Sequence, residues 1–299
     1  MIGASSPELA EGELVLLVDR KDRRYLFRLE DGKEFHSHAG LVPHAELIGG
    51  PAGINVKSTR GATYLVLRPT LADFILKMPR GAQIIYPKDI GPIMMLADIY
   101  PGVRVFESGI GSGALSTALL RAGAEVIGYE LREDFASRAQ KNVAAFLGED
   151  ALDNYHVEIR SAYDGIDATD IDRAILDLPE PWQVIPHLTP VLRPGGVVLA
   201  YTPSILQAAK VSETLDAGPY AMIATTEILS RGWHIDGHAV RPDHRMVAHT
   251  GFLTHGRRIQ QTWVDKVAED RPEENLAEAN AAEPGEAPAV VAVQPADES

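Results

Sequence analysis

The sequence contains no cysteine in its 299 residues. That absence excludes a disulfide framework, a thiolate zinc site and a cysteine nucleophile, and it suits a reducing compartment. No apolar run approaches the roughly 18–20 residues that a membrane-spanning helix needs. Residues 1–10 also lack the basic-then-apolar pattern of a secretory signal. A soluble, cytoplasmic protein is the expectation. Aromatic residues are sparse at 6%, but apolar residues reach 45%, enough for one large domain with a real core and a smaller one beside it. Basic residues are in short supply, and the formal net charge is −14. Much of that deficit sits in residues 265–299, where ten acids face Lys266 and Arg271, so the body carries only −6. A nucleic-acid partner is therefore neither excluded nor supported by charge, and basic clusters do exist at 20–24 and 241–258.

What is present is organised around residues 103–113 (VRVFESGIGSG), which read as a buried strand running into a glycine-rich turn and then a helix over 114–121. Upstream, short β-rich runs at 13–18, 24–29, 54–58 and 64–67, separated by turn signals, predict a small β domain over residues 1–68. A helix over 70–78 follows, and Asp89 is placed to cap a second one reaching Tyr100. From 103 to 216 strands and helices alternate: strands at 125–129, 157–160, 173–176 and 197–201, helices at 132–147, 182–192 and 204–216. That alternation predicts a doubly wound α/β sheet. Runs at 225–229, 233–240 and 246–252 predict a β meander closing its edge, within a domain spanning 69–264. Residues 265–299, rich in Ala, Glu and Pro, are expected to be disordered.

In open α/β sheets ligands bind at the carboxyl ends of the strands. Four strand ends carry chemistry here. The turn Ser108-Gly109-Ile110-Gly111-Ser112-Gly113 has neither the dinucleotide spacing nor the Gly-Lys-Ser/Thr of a P-loop, and Ser112 is not flanked as a nucleophile elbow requires. Glu130 ends the next strand, 19 residues past Gly111, where an acid can accept both hydroxyls of a ribose. Ser161 and Ala162 end a third strand. Asp177 leaves the apolar run 174–176 into a loop stiffened by Pro179 and Pro181 and followed by Trp182, which is either a catalytic carboxylate or a helix cap. Ten histidines show no metal-ligand spacing, and no metal is expected.

Taken together, the glycine turn, the acid on the second strand and the Asp177 loop resemble a class I methyltransferase that uses S-adenosylmethionine. The stretches 78–89 (MPRGAQIIYPKD), 107–115 (ESGIGSGAL), 176–182 (LDLPEPW) and 201–203 (YTP) narrow the resemblance to the tRNA (adenine-N1)-methyltransferase family of actinobacterial type, which modifies adenine 58 of the T-loop. The match covers roughly residues 11–260. It implies a Rossmann-like methyltransferase sheet and a homotetramer acting on tRNA. It also implies that Ser108, Gly109, Ile110, Gly111, Ser112 and Gly113 hold the methionine part of the cofactor and that Glu130 binds its ribose. By the same resemblance Phe135, Ser161 and Ala162 lie near its adenine, and Gln83 and Tyr86 approach it from the lead-in segment. Asp177 then stands between cofactor and target base, and Tyr201 lines the target pocket. Ser108, Ile110 and Ala162 depart from the family's usual alanine, small residue and acid.

The chemistry is coherent with that assignment. Adenine N1 has a lone pair that attacks an electrophilic methyl, and a carboxylate aimed at the N6 amine stabilises the positive charge that develops on the ring. Histidines and basic residues of the small domain and of 241–258 are available for phosphate contacts. The alternatives are a methyltransferase for another acceptor, such as a protein carboxylate, and a non-catalytic tRNA-binding subunit that kept the fold.

Overall fold

The computed structural model describes residues 7–81 and 83–260; residues 265–299, the segment expected to be disordered, lie outside the described residues. Six short strands come first: β1 (Leu14–Asp19), β2 (Arg24–Arg28), β3 (Glu34–Ser37), β4 (Gly40–Pro43), β5 (Ile54–Lys57) and β6 (Thr63–Leu67). Four of them form an antiparallel sheet in the order β2-β1-β6-β5, and β3 pairs only with β4. Alternation puts Val15, Leu17, Tyr64 and Val66 on one face, where they are buried with Leu29, Val42 and Leu47. At four residues each, β3 and β4 are too short for alternation to stand out in the sequence. His38 lies in the turn between them.

Helix α1 (Leu71–Lys77) starts with a capping box in which Thr70 and Asp73 satisfy each other's backbone N–H. Helix α2 (Pro87–Leu96) begins at Pro87 with Tyr86 as N-cap, so Asp89 is not the cap the sequence suggests. The sheet that follows has seven strands in the order β12-β15-β11-β10-β7-β8-β9. They are β7 (Arg104–Ser108), β8 (Glu125–Glu130), β9 (Tyr155–Ile159), β10 (Ile171–Leu176), β11 (Leu192–Thr202), β12 (Tyr220–Glu227) and β15 (Phe252–Arg258). β7 to β11 run parallel, while β15 lies antiparallel between β11 and β12. Helices α3 (Ala114–Arg121), α4 (Glu133–Leu147) and α6 (Ile205–Asp216) make the crossovers. α4 buries Phe135, Ala136, Ala139, Asn142 and Val143, a stripe at helical spacing. This is the doubly wound α/β arrangement that the alternating pattern predicts, with the antiparallel β15 inserted toward one edge.

Two expectations are corrected. The helix over 182–192 is a 3-10 turn followed by one short helix, α5 (Ile185–Leu188), because Pro181, Pro186 and Pro190 interrupt it and Leu192 already belongs to β11. The meander is not one unit. Only β12 and β15 join the sheet, and β13 (Trp233–Asp236) with β14 (Ala239–Pro242) forms a separate hairpin. Among the described residues no helix is long and apolar enough to cross a membrane.

Strand order reverses between β7 and β10, which makes their carboxyl ends the switch point of the sheet. The register aligns Leu176 with Ser108 and Ser108 with Tyr129, so Asp177, Gly109 and Glu130 leave three adjacent strands side by side.

Candidate active site

The glycines of the turn are not equivalent. Gly109 has φ +85°, and a Cβ there would stand 2.0 Å from the carbonyl oxygen of Asp177. The two strand ends are pressed together, with Asp177 N donating to the Ser108 carbonyl at 2.9 Å. Gly113 packs on Ala139 of α4, 3.0 Å from where its Cβ would be. Gly111 differs: at φ +53° its nearest neighbour to such a Cβ is the Gly109 carbonyl, 4.0 Å away. Gly109 and Gly113 serve packing, whereas Gly111 leaves an open cradle over the turn.

Three carboxyl groups face this cradle. Glu130 accepts hydrogen bonds from Gly111 N at 3.1 Å and Arg132 N at 3.0 Å. Glu107, at 2% exposure, accepts from Ser116 Oγ at 2.7 Å, and that oxygen accepts from the Tyr155 hydroxyl at 2.9 Å. Asp177 is half-buried and lines the same cleft. Burial, reinforced by Asp177 and Glu130, pushes the Glu107 carboxyl up to about 8, against the lowering effect of its Ser116 hydrogen bond. Burial and then the charge of Glu130 push Asp177 up to about 7. Among the described residues none of the three forms an ion pair with a basic side chain. A low-dielectric cleft lined by uncompensated carboxyls is built for a cationic guest. Ile84, Ile85, Ala114 and Leu115 supply apolar walls, and Gln83 a polar edge.

The loop after Asp177 is held from three sides. Gln207 Nε2 donates to the Pro179 carbonyl at 2.8 Å, Glu180 N donates to the Tyr163 hydroxyl at 3.1 Å, and the Lys210 ammonium sits 4.8 Å from the Trp182 ring centroid. Beside it lies a second cluster. Asp89 is fully buried and accepts from Lys88 Nζ at 2.7 Å and from Thr250 Oγ1 at 2.7 Å. Lys88 also donates to the Ile228 carbonyl at 2.6 Å. Tyr201 stands beside Thr250, and its hydroxyl is pushed up to about 12 by burial, with Asp89, Asp177 and Tyr86 adding to the shift and Thr250 opposing it. The Tyr201 ring is backed by Gly251, where a Cβ would stand 2.5 Å from it.

Of the residues implied by the sequence, Gln83, Gly109, Ile110, Gly111, Ser112 and Asp177 line the cleft. Ile110 also packs over Gly128 of β8. Ser108 is buried. Tyr86 and Tyr201 belong to the neighbouring cluster. Phe135 lies under the Arg132 guanidinium, 3.7 Å from its ring centroid, and against Gly81. Ser161 caps the short turn at Ala162, accepting from Tyr163 N at 3.2 Å, and Ala162 is buried; neither lines the cleft. Sequence reasoning missed Glu107 as a cleft carboxyl, although an acid inside an otherwise apolar strand was a visible signal. It also missed the Lys88–Asp89–Thr250 cluster, which joins positions 161 residues apart and left no local trace.

Residues 62–240 match the family model of the tRNA methyltransferase complex GCD14 subunit, and residues 8–56 match the TrmI-like N-terminal model. The chain is 37% identical over 257 residues to the tRNA (adenine(58)-N(1))-methyltransferase TrmI of Thermus thermophilus, covering 82% of this chain and 96% of that protein. The structure of the tRNA (m1A58) methyltransferase TrmI from Aquifex aeolicus superposes with a TM-score of 0.74 at 30% identity, over 85% of this chain and 100% of that one. That of a SAM-dependent O-methyltransferase from Thermotoga maritima gives 0.81 at 31% identity, over 87% and 98%.

Proposed function

This chain belongs to the tRNA (adenine-58-N1)-methyltransferase family, and from that membership we propose that it transfers a methyl group from S-adenosylmethionine to N1 of adenine 58 in the tRNA T-loop. In this reading residues 1–68 are an RNA-binding appendage, 69–264 the catalytic domain, and the enzyme is cytosolic. The observation that carries it is the pairing of the open cradle at Gly111 with the carboxyl of Asp177 on the adjoining strand end.

The cleft suits this cofactor on its own evidence: S-adenosylmethionine is cationic, and it meets the charge of Glu130 together with two carboxyls, Asp177 and Glu107, that gain charge as a cation binds. Gly111 and Ser112 would hold its methionine part and Glu130 its ribose, with Gln83 and Tyr86 closing from the lead-in segment and Phe135 beside its adenine. Ser161 and Ala162, at the end of β9, would lie toward the adenine as well. The bound cofactor supplies the electrophilic methyl. Asp177 accepts from the adenine N6 amine, turns N1 toward that methyl, and stabilises the positive charge that appears on the ring as N1 is alkylated. Tyr201 forms a wall of the base pocket. N1 lies on the pairing edge, so the base must be unstacked before it reaches Asp177.

The likeness to a protein named as an O-methyltransferase raises one rival, a carboxylate acceptor. An unpaired Asp177 at the reacting centre would repel such a substrate. Incubation with labelled donor and unmodified tRNA, followed by digestion, separates the two. N1-methyladenosine in the RNA digest supports the proposal, whereas a base-labile methyl ester on protein supports the rival.

Two expected outcomes follow from the geometry. Gly109→Ala should fail to fold to the native melting temperature, because its Cβ meets the Asp177 backbone. Gly111→Ala should fold at a cost of about 1 kcal/mol for the left-handed conformation, yet lose cofactor binding by calorimetry. Cofactor affinity should rise with pH between 6 and 8.5. A cationic guest favours the charged carboxyls, so binding releases protons as long as Asp177 and Glu107, raised to about 7 and about 8, are partly protonated. Titrations in buffers of different ionisation enthalpy read that release directly.

We also propose the homotetramer that the resemblance implies. The hairpin β13–β14 exposes Trp233, Ile235 and Val240, and Leu229, Met246 and Val247 are exposed in the flanking segments, apolar side chains that association would cover. Light scattering on the eluting protein should give four times the 32.4 kDa chain mass, and Trp233→Glu with Ile235→Glu should lower it.

A further inference from the structure

The basic cluster of the small domain is more than a run of charges in the sequence. Three turns converge there: 19–23 between β1 and β2, 37–40 between β3 and β4, and 58–62 between β5 and β6. Asp19 folds the first turn, accepting from Lys21 N at 2.8 Å, Arg23 N at 3.0 Å and Arg23 Nε at 2.6 Å. Asp22 completes it in the left-handed region at φ 56°. The Arg23 guanidinium then reaches His38 Nε2, 3.3 Å away on the second turn. The second and third turns are locked together. Ser58 Oγ donates to the Ala39 carbonyl at 2.5 Å, Thr59 N donates to the Leu41 carbonyl at 2.9 Å, and Leu41 N donates to Thr59 Oγ1 at 3.1 Å. Gly40, at φ +105°, allows the approach, since a Cβ there would stand 2.9 Å from Arg60 N. Arg60 donates to the His38 carbonyl at 3.2 Å.

Between the first and third turns lies a groove of about 220 Å³, lined by Arg20, Lys21 and Arg23 on one side and by residues 61–64 on the other. Its one carboxylate, Asp19, is consumed by the turn it folds and by Arg23. Arg20 and Lys21 are exposed and form no ion pair among the described residues. A body that is net negative therefore holds four cations, Arg20, Lys21, Arg23 and Arg60, on rigidly braced turns. No exposed aromatic face lines the groove, as Tyr64 is buried with its hydroxyl on Ser37 Oγ at 2.7 Å. Guanidinium and ammonium groups carried on braced turns, without a stacking platform, suit phosphodiesters, not bases.

We propose that this groove docks the sugar-phosphate backbone of the RNA substrate and supplies sequence-independent affinity while the Asp177 end of the sheet acts on the base. The inference rests on the proposed tRNA substrate. Its test is the full-length chain with Arg20→Ala, Lys21→Ala and Arg60→Ala combined, which leaves the Asp19–Arg23 turn intact. Melting temperature, cofactor Kd and kcat should match the wild type. KM for transcribed tRNA should rise about tenfold near 0.2 M salt, and the slope of log KM against log salt should flatten by about 2, near 0.7–0.9 per lost phosphate contact. Filter retention of the same tRNA, without cofactor, reads the groove apart from catalysis. A wild type that retains tRNA and a variant that does not support the groove even if the methyl goes to another acceptor. Equal retention and equal salt slopes overturn it, whether or not tRNA is methylated. Arg20→Glu alone, expected to weaken retention further than Arg20→Ala, guards against a fold defect in the triple variant.

Discussion

Asp177→Ala is expected to lower the single-turnover rate of methyl transfer by about 10²–10³-fold, the loss typical when one preorganised electrostatic partner of the transition state is removed. The cofactor Kd should change far less. The reasoning is positional. Asp177 leaves β10 beside the glycine turn, its backbone N–H is tied to Ser108, and its loop is braced by Gln207 and Tyr163. Its carboxyl, in contrast, has no protein partner among the described residues. A side chain so placed is available to a ligand and costs stability to keep. Its raised pKa fixes the sign of that cost. The group's contribution to stability is fully present below the unfolded value of 3.8 and is lost as pH rises through about 7. Asp177→Asn should therefore melt higher than the wild type at pH 8, with no gain at pH 4, while losing turnover as Asp177→Ala does. Equal losses of turnover and cofactor affinity would make Asp177 a cofactor ligand and not the group that handles the base.

The second large effect is expected away from the cleft. Asp89→Ala should lower the melting temperature on the order of 10 °C, because removing one partner of a buried ion pair leaves the other uncompensated at about 3–5 kcal/mol. Lys88 would be stranded at 10% side-chain exposure, and Thr250 would lose the acceptor that orients it toward Tyr201. The milder Thr250→Val isolates the positioning part. It keeps the Lys88–Asp89 pair, so its melting temperature should fall far less than that of Asp89→Ala, but Tyr201 loses the hydroxyl beside it and kcat should fall. Thr250→Ser, which retains the hydroxyl, should restore it. A Thr250→Val enzyme with unchanged kcat would make the cluster a structural brace alone.

Much of this molecule could be read before its structure. The parallel strands announced themselves because β7 and β10 are buried on both faces and read as continuous apolar runs. Helix α3 was read to the residue, since Gly113 and the apolar face leave it one start. Asp177 and Glu130 were legible because a charge that ends a buried strand has few structural reasons to be there. What the sequence hid is long-range or distributed. The 182–192 segment carries a helical stripe of apolar residues, and its two prolines, with Pro181 just ahead of it, outweigh it. Gly109, Gly111 and Gly113 look alike in sequence, yet only the facing strand decides that Gly109 is a packing residue and Gly111 a cradle. Asp89 read as a helix cap from its local setting, and Thr250, far away in the chain, redirects it.

The most direct test of the central assignment maps the methyl group on the RNA. An unmodified tRNA transcript, incubated with the protein and S-adenosylmethionine, should acquire N1-methyladenosine that stops reverse transcription at position 58. A transcript with guanine at that position should acquire none. Cofactor-bound, folded protein that leaves position 58 unmodified, or that methylates both transcripts alike, would contradict the account.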